Sequence, residues 1–265
     1  MKFLDNIFNK PKLKNEQATV IPIVRRNPGP NDPFFDRIFP DNFWSSMDRS
    51  RFITHEHSML ADEPVFEWLI KTVRPETIVE LGSWQGHSAN HMADICKAEG
   101  LDSRIVCVDT FLGGPEHWVL GDTIETMRRR NGMPTILEAF LGNTVARGNE
   151  GRIFPFTVDT ATGWQVMRDL GFKADLIYVD AGHAYHQVVD EVHGYLPRLN
   201  EGGVMFGDDY YFEPVARAAQ DMAKHYGFSL GVLQRRKWVF MTDRLMQNPA
   251  PEELGFEIRT EPYPD

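Results

Sequence analysis

Four residues in the second half of the chain have the types needed to hold an alcohol and remove its proton: Asp180, His183, Asp208 and Asp209. Three carboxylates are hard oxygen donors, and with water they suit Mg2+ or a similar divalent cation in octahedral geometry. A cation held this way binds a substrate hydroxyl and lowers its pKa. His183 stands three residues past Asp180 in Asp-Ala-Gly-His, one loop turn away. An imidazole titrating near about 6.5 is suited to act there as general base. Each residue also has a plainer reading: Asp208-Asp209 as a helix-capping turn before Pro214, and His183 as an exposed loop histidine. His117, beside Trp118, is a second candidate for the same pocket, whereas His55, His57, His186 and His193 read as surface or packing residues.

The elements that must position these groups are organised around Thr77–Ser88, TIVELGSWQGHS. An apolar run ends at Glu80 and Gly82, and Gly86 and a helical pattern from His87 follow, which reads as strand, tight turn and helix start. Glycines let backbone approach a ligand closely, and a helix N-terminus offers unpaired N–H groups to negative charge. GSWQG is not G-x-G-x-x-G, so a dinucleotide pyrophosphate site and a nicotinamide-dependent dehydrogenase are disfavoured.

Further strands are expected at Arg104–Asp109, Ile153–Val158, Asp175–Asp180 and Gly202–Gly207. A closing hairpin is expected from Phe228–Leu233 and Trp238–Asp243, joined by Gln234-Arg235-Arg236-Lys237. Helices are expected over Glu63–Val73, His87–Glu99, Asp122–Arg130, Pro134–Arg147, from Thr160 to about Leu170, Tyr185–Leu199 and Pro214–Tyr226, with Thr110–Trp118 as a loop. Five strand–helix alternations argue an α/β fold, a doubly wound, mostly parallel seven-stranded sheet with an antiparallel hairpin at one edge. Ligands bind outside the carboxyl ends of such strands. Glu80, Asp109, Asp159, Asp180 and Asp208/Asp209 all fall at or near predicted strand ends and should converge on one rim. Asp109 is placed to accept from ribose hydroxyls, and Asp159 or Thr160 to cap the next helix.

Composition narrows the class. The chain has 265 residues, 42% hydrophobic and 25% charged, with a net charge of −10. No basic excess is available to neutralise nucleic-acid phosphate. No stretch approaches a membrane span and no apolar core marks a leader at the N-terminus. Two cysteines, Cys96 and Cys107, sit in apolar-periodic segments and read as buried thiols of a reducing, cytoplasmic compartment. Residues 1–60 form an N-terminal arm rich in proline and aromatics; 1–30 reads as an ordered extension, and 31–60 equally as extension or as lid over a pocket. Residues 61–245 carry the main domain, and 246–265 read as a loose Pro/Glu-rich tail. The aromatic arm suggests a homo-oligomer.

The segments VELGSWQGHS, IVCVD and DLIYVDAGHAYHQVVDEVHGYLPRLNEGGVMFGDDY resemble the class I S-adenosylmethionine-dependent methyltransferases. More narrowly they resemble the metal-dependent O-methyltransferases of small hydroxylated molecules: the catechol type and the bacterial macrolide-sugar and aminocoumarin tailoring type. The similarity covers residues 60–243. It implies a Rossmann-like sheet with a reversed last strand. It implies that Glu80, Gly82 and Ser83 line the methionine end of S-adenosyl-L-methionine, with His87 and Ser88 near its carboxylate. Asp109 and Thr110 would serve the ribose, Asp159 and Thr160 would lie near the adenine, and Asp180 would border the cofactor. Asp180, Asp208 and Asp209 match metal-binding acids, and His183 falls at the base position. Related bacterial sequences often carry an acid where Gly182 stands, which leaves His183 as the nearby base. The alternative is a methyltransferase-fold scaffold that binds the nucleoside and catalyses nothing.

Overall fold

A computed structural model describes residues 32–41, 43–55, 64–121 and 123–259. The expectation for residues 1–30 lies outside the described residues. In chain order the helices are α1 (Pro33–Ile38), α2 (Pro64–Val73), α3 (His87–Ala98), α4 (Pro115–Val119), α5 (Thr123–Thr126), α6 (Ile136–Ala146), α7 (Thr160–Asp169), α8 (Tyr185–Tyr195), α9 (Glu213–Tyr226) and α10 (Asp243–Gln247). The strands are β1 (Thr77–Leu81), β2 (Arg104–Val108), β3 (Ile153–Phe156), β4 (Ala174–Val179), β5 (Leu199–Gly207), β6 (Ser229–Leu233), β7 (Lys237–Met241) and β8 (Phe256–Arg259).

They form one mixed sheet in the order β3-β2-β1-β4-β5-β7-β6-β8. The first five strands are parallel; β7 runs antiparallel to β5 and β6, and β8 antiparallel to β6. Strands buried on both faces need apolar residues at nearly every position, and β1 is buried throughout. Ile78, Ile105, Tyr178 and Phe206 face a cluster with α2, α3 and α6, while Val79, Val106, Ile177 and Met205 face one with α7, α8 and α9.

Two expectations are corrected. The sheet has eight strands, not seven, because part of the expected loose tail forms β8. Gly231 has no side chain to occupy the space taken by the Phe256 ring; a Cβ there would meet that ring at 2.3 Å. The hairpin adds antiparallel strands at the β5 edge as expected, with β7 beside β5 and β8 outside β6. The 110–130 region also differs. The Gly-Gly-Pro loop runs into α4, with Pro115 at its first turn, and the Asp122–Arg130 helix shortens to α5.

Described residues of 32–41 and 43–55 pack beside β3 and α6. Phe34 is fully buried, with its ring 4.4 Å from that of Phe172 and 5.5 Å from that of Phe156. The Trp44 indole donates to Ile153 O at 2.9 Å. Further on, Gly142 lets the backbone of Ile53 approach α6, where a Cβ would lie 2.1 Å from Ile53 O. The buried Phe34, Phe35, Phe39 and Trp44 thus belong to the core, and Phe34→Ala is expected to cost about 3–5 kcal/mol. Urea unfolding followed by circular dichroism checks this; a loss below about 1 kcal/mol contradicts the packing.

Candidate active site

Parallel register sets the site. Leu81 pairs with Val108 and with Val179, and Val179 pairs with Gly207. The residues one step on, Gly82, Asp109, Asp180 and Asp208, therefore stand in a row at the carboxyl ends of four adjacent strands. Backbone bonds hold the row: Gly82 N to Val108 O at 3.0 Å, Asp180 N to Leu81 O at 2.9 Å and Asp208 N to Val179 O at 3.0 Å. Gly82 has φ +80, and a Cβ there would lie 2.0 Å from Asp180 O, so only glycine allows this closeness. Asp159 does not join the row. It comes three residues past the end of β3 and caps α7, accepting from Thr162 N at 2.9 Å. Thr160 Oγ1 donates to the buried Glu191 carboxylate at 3.1 Å.

On one side of the row is the glycine turn. Glu80 is fully buried; its Oε1 accepts from Ser88 Oγ, while Oε2 and the buried Ser83 Oγ have no hydrogen-bond partner of good geometry among the described residues. Burial raises the Glu80 carboxyl to about 7 against the hydrogen bonds that favour its charge. Asp109 accepts from Trp84 N at 2.8 Å and Phe111 N at 2.7 Å, and burial raises it as well. The Trp84 ring stacks on His117 at 4.3 Å, and Thr110 Oγ1 accepts from Leu112 N at 3.3 Å. Gly86, with φ +78, starts α3 without a side-chain cap, followed directly by His87 and Ser88.

On the other side, ligand atoms of Asp180, His183 and Asp209 lie within 4.8 Å of one another. They border a cavity of about 10 Å3, lined also by Gly182, Asp208 and Trp238, which is room for about one water or ion. Asp209 sits in the left-handed region at φ +61, and its Oδ2 is 2.8 Å from His183 Nε2. The Asp209 hydrogen bond, working against burial, raises His183 to about 9. Burial raises Asp209, but bonds from His183 and Tyr211 and the His183 charge more than offset it and hold Asp209 low. Burial, reinforced by the Asp208 charge, pushes Asp180 well above the usual carboxylate range.

Asp208 is oriented differently from its two neighbours. Its Oδ2 accepts from Lys237 Nζ at 2.5 Å, and its Oδ1 accepts from Asp209 N at 2.7 Å and Arg236 Nε at 3.3 Å. The gathered donor set is therefore Asp180, His183 and Asp209, without Asp208. Gly182 also has a local cause. A Cβ there would lie 2.5 Å from Gln187 Cβ, and Gln187 Oε1 accepts from Ala184 N at the start of α8.

Sequence reasoning missed Tyr178, Arg236 and Lys237. Tyr178 is two residues before Asp180 on one strand, hence on the same face. Its hydroxyl donates to Asp180 Oδ2 at 3.0 Å and accepts from Lys237 Nζ at 2.8 Å. The hairpin pairing of Gly207 with Trp238 sets Lys237 opposite Asp208 one step on, a signal legible once β7 is placed beside β5.

A methyltransferase-domain family model matches residues 79–210. The chain is 29% identical over 164 residues to the 8-demethyl-8-(2,3-dimethoxy-alpha-L-rhamnosyl)-tetracenomycin-C 4'-O-methyltransferase of Streptomyces olivaceus, covering 58% of this chain and 60% of that one. It is 24% identical over 199 residues to an uncharacterized protein of Sinorhizobium fredii, covering 71% of this chain and 20% of that one. The chain thus spans less than two thirds of the length of either relative. Among solved structures it is similar in fold to the TDP-rhamnose 3'-O-methyltransferase CalS11 of calicheamicin biosynthesis, with TM-score 0.50 and 18% identity over 68% of this chain and 78% of that one.

The raised Glu80 carboxyl fixes a pH dependence. Its ordinary value is 4.5 and its folded value about 7. The folded state holds the proton more tightly, so stability falls as pH rises from 4.5 to 7, by about 3 kcal/mol in all. Glu80→Gln removes that charge, so the ligand-free variant should gain stability relative to wild type as urea titrations move from pH 4.5 to 7.5. A constant difference between the two proteins across that range contradicts the burial argument.

Proposed function

The chain belongs to the class I S-adenosylmethionine-dependent methyltransferases, and from that premise we propose that it O-methylates a hydroxyl of a small metabolite, a sugar or a glycosylated natural product, with a divalent cation at the site. The observation that carries this reading is the meeting of Asp180, His183 and Asp209 at the end of the same strand row that begins at the glycine turn. No helix among the described residues is long and apolar enough to cross a membrane.

The residues fit both groups. Glu80 Oε2 and Ser83 Oγ are buried beside the glycine turn without a partner of good geometry among the described residues, and an amino-acid head could satisfy them. We assign Glu80, Gly82, Ser83, His87 and Ser88 to the methionine end, Asp109 and Thr110 to the ribose, and Asp159 and Thr160 to the adenine side. The two carboxylates Asp180 and Asp209, beside a cavity of about 10 Å3 with room for water, suit Mg2+ or Mn2+ and leave the His183 imidazole free to act as base. S-adenosylmethionine supplies the methyl group as a cationic sulfonium, and a divalent cation acidifies a bound hydroxyl.

This chain's own residues do the rest. Methyl transfer is an in-line displacement, so alignment and a deprotonated acceptor are what the protein must provide. His183 accepts the hydroxyl proton on an imidazole nitrogen, and the Asp209 carboxylate stabilises the imidazolium that forms. Phe212, with its ring 5.5 Å from that of His183, and the half-exposed Tyr211 offer aromatic faces to a sugar ring or an apolar aglycone. The Streptomyces relative, a rhamnosyl-tetracenomycin-C 4'-O-methyltransferase by name, supports that choice of acceptor. The buried free thiols Cys96 and Cys107 fit a reducing compartment such as the cytoplasm.

Isothermal titration with S-adenosylhomocysteine tests the reading. Saturable binding is expected, and no binding to folded protein at millimolar ligand would end it. In turnover assays, His183→Ala is expected to lower kcat by about 100- to 10,000-fold with cofactor affinity unchanged. A base must be unprotonated, so wild-type kcat/KM should rise with pH along one ionisation limb, and the variant should lose that limb. Equal loss of turnover and cofactor affinity contradicts the base assignment.

A further inference from the structure

Lys237 is one of the largest fully buried side chains of the protein, at 2% exposure. A buried ammonium needs a paired charge and hydrogen bonds. Here it has both: Asp208 Oδ2 at 2.5 Å and the Tyr178 hydroxyl oxygen at 2.8 Å. Its Nζ also lies 5.4 Å from the Phe66 ring centroid and 5.1 Å from that of Tyr178, within reach of both aromatic quadrupoles. A phenol has one proton to give. With Lys237 donating to its oxygen, Tyr178 directs that proton to Asp180 Oδ2, 3.0 Å away, rather than to Asp208 at 3.3 Å. Asp208 meanwhile receives Asp209 N and Arg236 Nε on its other oxygen, so both oxygens are engaged.

We propose that Lys237 is the resident cation of this site: it neutralises Asp208 and removes it from the metal-ligand set, and through Tyr178 it holds Asp180 in place as a ligand. The divalent cation is then bound by two carboxylates, Asp180 and Asp209, instead of by three acids, and His183 stays beside them as the base. Lys237 and Tyr178 are positioning residues, since they touch the ligands and not the reacting atoms. The assignment rests on the divalent-cation reading of the site and adds to it which acids bind the ion and what orients them.

The test compares wild type with Lys237→Met, Asp208→Asn, the double variant and Tyr178→Phe. Thermal melts in chelator read the counter-ion claim. Lys237→Met leaves the buried Asp208 carboxylate with only the longer Arg236 pairing, Nε at 3.3 Å, and should lower Tm by about 10 °C. The double variant removes both charges and should recover most of that loss; a double variant that melts no higher than Lys237→Met, or does not fold, overturns the pairing. Titration with Mn2+ alone, followed by electron paramagnetic resonance, reads the ligand claim. The double variant should bind Mn2+ within about threefold of wild type, whereas Tyr178→Phe should bind it about tenfold more weakly with an unchanged far-UV spectrum. If the double variant loses Mn2+ as completely as Asp180→Asn does, Asp208 is a ligand and the proposal fails. If wild type itself binds no Mn2+ at millimolar concentration, the metal reading and the ligand half of the proposal fall together. The chelator melts decide the Lys237–Asp208 pair independently.

Discussion

Like charges forced side by side are the constraint on which the site depends. Parallel pairing aligns the ends of β1, β2, β4 and β5, and the next residues are Gly82, Asp109, Asp180 and Asp208. Three of those four are acids, and Asp209 adds a fourth carboxylate. Converging carboxylates raise one another's pKa unless cations or hydrogen-bond donors sit among them. The protein meets this in three ways. Backbone N–H groups hold Asp109, Lys237 and Arg236 hold Asp208, and His183 holds Asp209. Asp180 receives only the Tyr178 hydroxyl among these side chains, and it is the acid whose burial and neighbours most oppose its charge.

The antiparallel insertion of β7 is the structural counterpart of that electrostatics. Because β7 runs against β5, its first residues lie beside the last residues of β5. The basic hairpin turn is thereby delivered to the acidic rim. A parallel strand in the same slot would bring its first residues to the opposite end of the sheet. Gly207 completes the arrangement: a Cβ there would meet the Trp238 ring at 2.3 Å, and the Trp238 indole donates to Asp208 O at 3.1 Å.

Much of the fold was legible because the signals are local. Apolar runs ending in acids marked β1, β2, β4 and β5, and Pro64 and Pro75 bracketed α2. The misreadings share a cause in tertiary context. Phe256–Arg259 has no strand signature of its own and gains one only from the edge of β6, where Gly231 makes room for Phe256. At the site, the residue types and the rim were readable, but the direction in which each carboxylate points was not. Asp208 and Asp209 are adjacent in sequence and face different partners, one a lysine from a hairpin 29 residues on, the other a histidine 26 residues back. Asp159 read equally well as a rim acid and as a helix cap; lying past the aligned row, it became the cap.

Anomalous diffraction from crystals grown with Mn2+ and S-adenosylhomocysteine tests the central claim most directly, that register-aligned acids meet around one cation next to the bound cofactor. The expected result is a single Mn2+ within about 2.3 Å of oxygens from Asp180 and Asp209, with the nucleoside on the glycine turn and Asp208 still on Lys237. An ion coordinated elsewhere, or Asp180 and Asp209 turned to separate places with no shared metal, contradicts the account.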